Sequence, residues 1–146
     1  MPKRFTLGEA QDALPEVSRR LREAMALKAE FEAAEGAFRS STERIMAMGG
    51  VTVDRESVRE IKSRRESAAA RLPKAIERVQ QMGCVVKDLD IGLVDFPTMF
   101  RGVEAYLCWR LGEPAIGFWH RVDEGYGQRK AIDRDFRDHH RGELEQ

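Results

Sequence analysis

The sequence has only two cysteines, Cys84 and Cys108, without Cys-x-x-Cys spacing, so it encodes neither a disulfide framework nor a zinc ribbon. It has no net charge, because 25 Lys and Arg balance 25 Asp and Glu. That removes the global basic field that drives non-specific nucleic-acid binding and argues against a nucleic-acid partner. No apolar run approaches the ~18–20 residues of a membrane helix, so no span is expected. Met1-Pro2-Lys3-Arg4-Phe5-Thr6 leads into an amphipathic stretch instead of the apolar centre of a secretion signal. These absences predict a cytoplasmic protein with free thiols. Catalytic signatures are equally scarce: there is no glycine-rich phosphate loop, no Gly-x-Ser-x-Gly elbow and no His-x-x-x-His pair. No metal or other cofactor is expected on these grounds.

What is present is charge together with apolar periodicity. A chain of 146 residues, 34% charged and 42% hydrophobic, is too apolar for disorder yet highly charged for a compact core. Elongated helices with solvated faces account for both numbers, and the length predicts one domain over residues 1–146. Thr6-Leu7-Gly8-Glu9 has capping-box form and starts a short helix, which Pro15 is expected to end or kink. A long helix then runs from about Pro15 to Met48. It carries a heptad with Val17, Ala24, Phe31, Phe38 and Ile45 at one core position and Leu27, Ala34 and Met48 at the other. Gly49-Gly50 breaks it, Asp54 is the next N-cap, and Val53 and Val58 form a hydrophobic staple.

Val58, Ile61, Ala68, Leu72, Ala75, Val79 and Met82 form a second stripe, interrupted by Arg65, with Pro73 bending the helix. Two stripes joined by a short loop predict an antiparallel, coiled-coil-like hairpin over residues 5–82. The register that pairs Leu27 with Leu72, Phe31 with Ala68 and Phe38 with Ile61 also brings Glu23 near Arg78 and Glu30 near Arg71. Leu14, Leu21 and Ile76 flank the stripe and are the expected contacts of a homodimer.

Residues 83–132 read as a small antiparallel sheet. Cys84–Asp88 is a strand, followed by an irregular segment to Pro97 and by strands at about Val103–Arg110 and Ala115–Val122. An even-length loop pairs Glu104 with Arg121, Tyr106 with Trp119 and Cys108 with Gly117. In that register Ala105, Leu107, Trp109, Leu111, Ile116, Phe118 and His120 share the apolar face, and Cys108 lies on the opposite face from His120. A Cys/His nucleophile is disfavoured accordingly. The segment 133–146 is expected to be a short helix or a charged, frayed tail with His139 and His140 in solvent. The fold class is thus α+β: a long antiparallel helical hairpin, a small antiparallel sheet and a short C-terminal helix or tail.

Lys87-Asp88-Leu89-Asp90-Ile91-Gly92-Leu93-Val94-Asp95-Phe96-Pro97, Tyr106 to Pro114, Phe118-Trp119-His120 and Gly125 to Arg129 form a set of motifs, with Phe5-Thr6 to Leu14-Pro15 ahead of them. On these the chain resembles the bacterial family called domain of unknown function 2203, over roughly residues 5 to 132. The resemblance implies no reaction, so function rests on the residues.

Asp88, Asp90 and Asp95 crowd one segment. Asp88-x-Asp90-x-Gly92 has only the start of a calcium loop, since Met99 stands where the closing glutamate belongs. Turn-capping roles, with Lys87 or Arg110 as ionic partners, fit the aspartates better. Aromatic anchors beside charge favour recognition surfaces, and Arg110, Glu113, His120 and Arg129 join Asp88, Asp90 and Asp95 as the candidate surface for a ligand or partner. The chain therefore reads as a protein-interaction or small-ligand-binding module. The alternative is a hydrolase-like enzyme, metal-dependent or not, using the Asp88, Asp90 and Asp95 segment with His120.

Overall fold

The computed structural model describes residues 3–49 and 54–142. They form a helical hairpin, α1 (Leu7–Ala47) and α2 (Arg55–Gln80), an antiparallel sheet and a short helix α3 (Arg134–His139), an α+β architecture. The strands are β1 (Val85–Asp88), β2 (Leu93–Phe100), β3 (Val103–Arg110), β4 (Phe118–Arg121), β5 (Lys130–Ala131) and β6 (His140–Arg141). They lie in the order β1-β2-β3-β4-β5, with β6 on β2. No described helix is long and apolar enough to cross a membrane.

The capping box forms as its residues require: the Thr6 hydroxyl accepts from Glu9 N–H, and the Glu9 carboxylate accepts from Thr6 N–H. Pro15, expected to end or kink the helix, does not end it: α1 continues through it. Its ring sits on the exposed side while Leu14, Val17 and Leu21 around it are buried against the sheet. Burial of those side chains, about 1.5–3 kcal/mol each, offsets the one backbone bond that proline removes. The helix ends at Ala47, and Gly49 just beyond it takes a φ of 67° that suits glycine. Gly50 and the proposed staple residue Val53 lie outside the described residues. Asp54 caps α2 through Ser57 N–H, and α2 runs through Pro73 without interruption.

The hairpin register agrees with the ion pairs Glu23–Arg78 at 3.1 Å and Glu35–Arg65 at 3.6 Å. No Glu30–Arg71 pair forms among the described residues. Arg65, the polar break in the second stripe, lies over the Phe38 ring at 4.4 Å. The stripe is fully buried only at its base, where Ala24, Leu27 and Ala75 meet; Phe31, Phe38 and Ile61 are half-buried. Leu14 and Leu21 belong to the intrachain core, so two of the three expected dimer contacts are already covered by the sheet.

That core packs α1 against alternate residues of the sheet: Val94 and Phe96 of β2, Ala105, Leu107 and Trp109 of β3, and Trp119 of β4. Of the segment expected to be irregular, residues 89–92 form a turn, but Leu93–Pro97 belongs to β2, the strand on which β1, β3 and β6 pair. Pro97 is tolerated there for a geometric reason. Its carbonyl accepts from Phe5 N–H at 2.7 Å, on the side away from β3, so its missing N–H would also have pointed away from that ladder.

The β3–β4 register differs by one residue from the even-loop expectation. Ala105 faces Arg121, Tyr106 faces His120, Leu107 faces Trp119 and Cys108 faces Phe118. A slip of one exchanges the two faces of a strand. Trp119 therefore enters the core, whereas Phe118 and His120 move to the face away from the helices, the face that carries Cys108.

The C-terminal segment is not frayed through residue 142. Asp133 caps α3, and fully buried Phe136 stacks on Phe100 and Trp119 with centroids 5.0 and 4.8 Å away. His139 is exposed as expected, but His140 is half-buried, stacks on Phe136 and accepts from Leu7 N–H at 2.9 Å.

Candidate functional site

The register just described assembles a site on the outer face of the sheet. Asp95 of β2 lies opposite Cys108 of β3, and His120 of β4 lies diagonally beside Cys108. One ligand-type atom from each of the three falls within 4.8 Å of the others. Asp95, Cys108 and His120 are 1%, 0% and 3% exposed, so the sheet holds a carboxylate, a thiol and an imidazole together away from bulk water.

The hydrogen bonds fix much of the chemistry. His120 Nδ1 is 2.7 Å from the Arg121 carbonyl, which can only accept, so Nδ1 carries a proton. Nε2 is 2.9 Å from Asp95 Oδ2. Burial disfavours charge on this ring, but hydrogen bonds to Asp95, Cys108 and the Arg121 carbonyl outweigh it and raise the pKa from 6.5 to about 10. Asp95 Oδ1 has no hydrogen-bond partner among the described residues. Cys84, the other thiol, differs: burial in the helix-facing core pushes its pKa up to about 11, and its Sγ donates weakly to the Val79 carbonyl.

Glu113, Arg129 and neighbouring aromatic rings border the cluster. Glu113 holds Arg129 through two bonds, 3.0 and 2.8 Å, and accepts from Arg110 N–H at 2.7 Å. Burial opposes ionisation of Glu113, yet Arg129 and the Arg110 amide hold its carboxyl below the usual glutamate range. The Arg129 guanidinium lies 3.9 Å from the Phe118 centroid and 4.4 Å from that of Tyr126, and it also interacts with Cys108. Arg110 reaches the Tyr126 hydroxyl at 3.3 Å. Tyr106 flanks His120 with ring centroids 5.5 Å apart, and Lys87 sits over Tyr106.

Of the residues singled out in the sequence, Asp95 and His120 touch directly, and Arg110, Glu113 and Arg129 form the adjoining polar cover. Asp88 and Asp90 lie elsewhere. The Asp88 carboxylate accepts from Asp90 N–H at 2.9 Å, a turn-capping role, and Asp90 pairs with Lys28 of α1 instead of with Lys87 or Arg110. Gly92 closes this turn at φ 69°, where an added Cβ would stand 2.6 Å from Leu111 Cβ. Its glycine therefore serves close packing.

Sequence reasoning missed Cys108, because the assumed loop length put it behind the sheet. The signal was the alternation itself: in β2 and β3, Asp95 and Cys108 interrupt runs of core residues, as ligands on a second face would. Their spacing matches no short motif because three separate strands supply them.

The larger clefts lie away from this cluster. One of about 590 Å³ is bordered by Arg4, Arg101, His139 and Arg141, where Arg4 and Arg101 already pair with Glu104 and Asp135. We assign the chemistry to the buried cluster, since a carboxylate, a thiol and an imidazole sequestered together are rarer than paired surface charge.

The chain belongs to the family described as uncharacterized conserved protein (DUF2203), which it matches over residues 3–132. No curated protein and no solved structure matches it.

Proposed function

We propose that this member of the DUF2203 family is a small-ligand-binding module whose centre is the Asp95, Cys108 and His120 cluster beneath the Arg129 cover. One observation carries the reading: the Asp95 carboxylate is sequestered with one oxygen unpaired, among the described residues, beside two further ligand-type side chains. Sequestered charge of this kind costs folding stability, so its retention points to a use other than packing. The Glu113–Arg129 pair and the Phe118 and Tyr126 rings supply a polar and aromatic cover that a ligand would displace or contact.

The hydrolase-like alternative loses support. His120 donates Nδ1–H to a backbone carbonyl and pairs with Asp95 through Nε2, an arrangement that favours the charged ring over a free base for Cys108, and the thiol is fully buried. Asp88 and Asp90 make no contribution beside His120. Free, buried cysteines support a cytoplasmic setting.

Native mass spectrometry of untagged protein purified from cells tests the central reading. The wild-type chain is expected to carry a non-covalent adduct that Asp95→Asn, a near-isosteric change, removes. An adduct retained by Asp95→Asn, or unliganded protein in both samples, would overturn it.

A further inference from the structure

We propose that Asp95, Cys108 and His120 are the ligands of a divalent transition-metal site of the zinc class, through a carboxylate oxygen, Sγ and Nε2. This rests on the reading of the outer sheet face as the binding centre and names its ligand. Three observations lead to it. The donor atoms lie within 4.8 Å of one another, and tetrahedral zinc, with bonds of about 2.0–2.3 Å, needs ligand separations of ~3–4 Å. A side-chain adjustment of about an ångström closes the difference. The Nδ1–H bond to the Arg121 carbonyl orients the ring and leaves Nε2 directed at Asp95, the outer-shell arrangement that zinc-binding histidines use. Independently, Asp95 Oδ1 is buried with no hydrogen-bond partner among the described residues, which leaves the carboxylate with unused capacity for a cation.

The donor set selects the class of ion. One thiolate, one imidazole and one carboxylate suit zinc, cobalt(II) and their neighbours. Magnesium and calcium require more oxygen ligands than the single carboxylate supplies. Three protein ligands leave a fourth position, so the ion would be open to a water or a small molecule from the side that Arg129 covers. Cys108 gives up its thiol proton to solvent and His120 presents Nε2 without a proton as the divalent ion arrives.

Chelator-treated protein titrated with cobalt(II), followed by optical spectroscopy, tests the proposal. A thiolate-to-cobalt charge-transfer band and intense tetrahedral visible bands are expected at one ion per chain, with zinc displacing the cobalt. Cys108→Ser should abolish the charge-transfer band, and Cys84→Ser should retain it. Asp95→Asn and His120→Gln should weaken cobalt binding by about a hundredfold or more, since loss of a mere supporting residue already costs ~10–100-fold. If Cys108→Ser does not fold, zinc protection of Cys108 against alkylation in the wild-type chain replaces it. Absence of the band in the wild type, its survival in Cys108→Ser, or alkylation of Cys108 unaffected by zinc would overturn the proposal. An organic adduct that depends on Asp95 and survives chelation would overturn the metal assignment alone. A wild-type chain that carries no Asp95-dependent adduct, metal or organic, would remove the binding-centre reading as well.

Discussion

Glu113 illustrates how one side chain carries more than its exposure suggests. It accepts from the Arg110 amide and grips Arg129 with both oxygens, while its backbone carbonyl accepts from the Trp109 indole at 3.1 Å. Charge-assisted bonds in a half-buried setting are each worth more than surface pairs. Glu113→Ala should therefore lower stability by roughly 1–3 kcal/mol, whereas Arg110→Ala, at an exposed position, should stay within about 0.5 kcal/mol. Glu113's folded pKa lies below the ordinary 4.5, so its contribution is complete above that value and is lost as pH falls through the depressed one. Urea unfolding of wild type and Glu113→Ala at about pH 7 and about pH 3 checks this: the gap between them should narrow on acidification. A constant gap would assign the loss to packing. Glu113 and Arg129 were legible in the sequence as polar groups among aromatics. Their pairing was not, because it joins segments on either side of β4 whose juxtaposition local spacing does not specify.

At the scale of elements, the helices were far more legible than the strands. A capping box and a repeating apolar stripe are local signals, and both α1 and the hairpin register follow from them. Pro15 misled because its local penalty is outweighed by long-range burial. In the sheet, β2 was hidden by Asp95 and Pro97, one a site residue and the other tolerated only where no ladder partner is required. The β3–β4 register turned on a single residue of loop length, and the rejected register also offered a plausible Glu104–Arg121 pair. The hairpin's uneven burial gives a prediction at this scale. Leu21→Ala, at a fully buried position on the sheet, should cost roughly 2–5 kcal/mol. Phe31→Ala should cost less than about 3 kcal/mol, below the range for a fully buried phenylalanine, because the ring is only half-buried. Denaturant midpoints of the two variants decide it, and equal losses would mean that the outer hairpin is covered in solution.

For the whole molecule, the hydrophobic core is shared between parts distant in sequence. Phe5 and α1 meet β2, β3 and β4 in one cluster, and Phe136 of α3 completes it. The short helix after residue 132 is one of the two forms expected there, but its long-range closure onto the core could not be read from composition. The expectation of a single domain translates into one cooperative transition, in which loss of any of these contributors lowers the stability of all. A chain cut after Ile132 should therefore unfold at a markedly lower temperature, or populate an expanded state, when followed by near-ultraviolet circular dichroism of its tryptophans. An unchanged melting curve would show that α3 and β6 are accessory.

The bond between Leu7 N–H and His140 Nε2 joins residues 133 positions apart in sequence. Helix starts leave amide donors that the helix cannot itself satisfy, and here one of them is satisfied from the far end of the chain. The family match stops at residue 132, ahead of this contact. Boundaries drawn by sequence likeness and boundaries drawn by packing therefore disagree in this protein. Sequence comparison alone would assign the first turn of α1 to the shared part and leave out the residue that completes it. For relatives that end differently, the expectation is that another acceptor takes the place of this imidazole, and where that acceptor lies would mark how the fold has been re-closed.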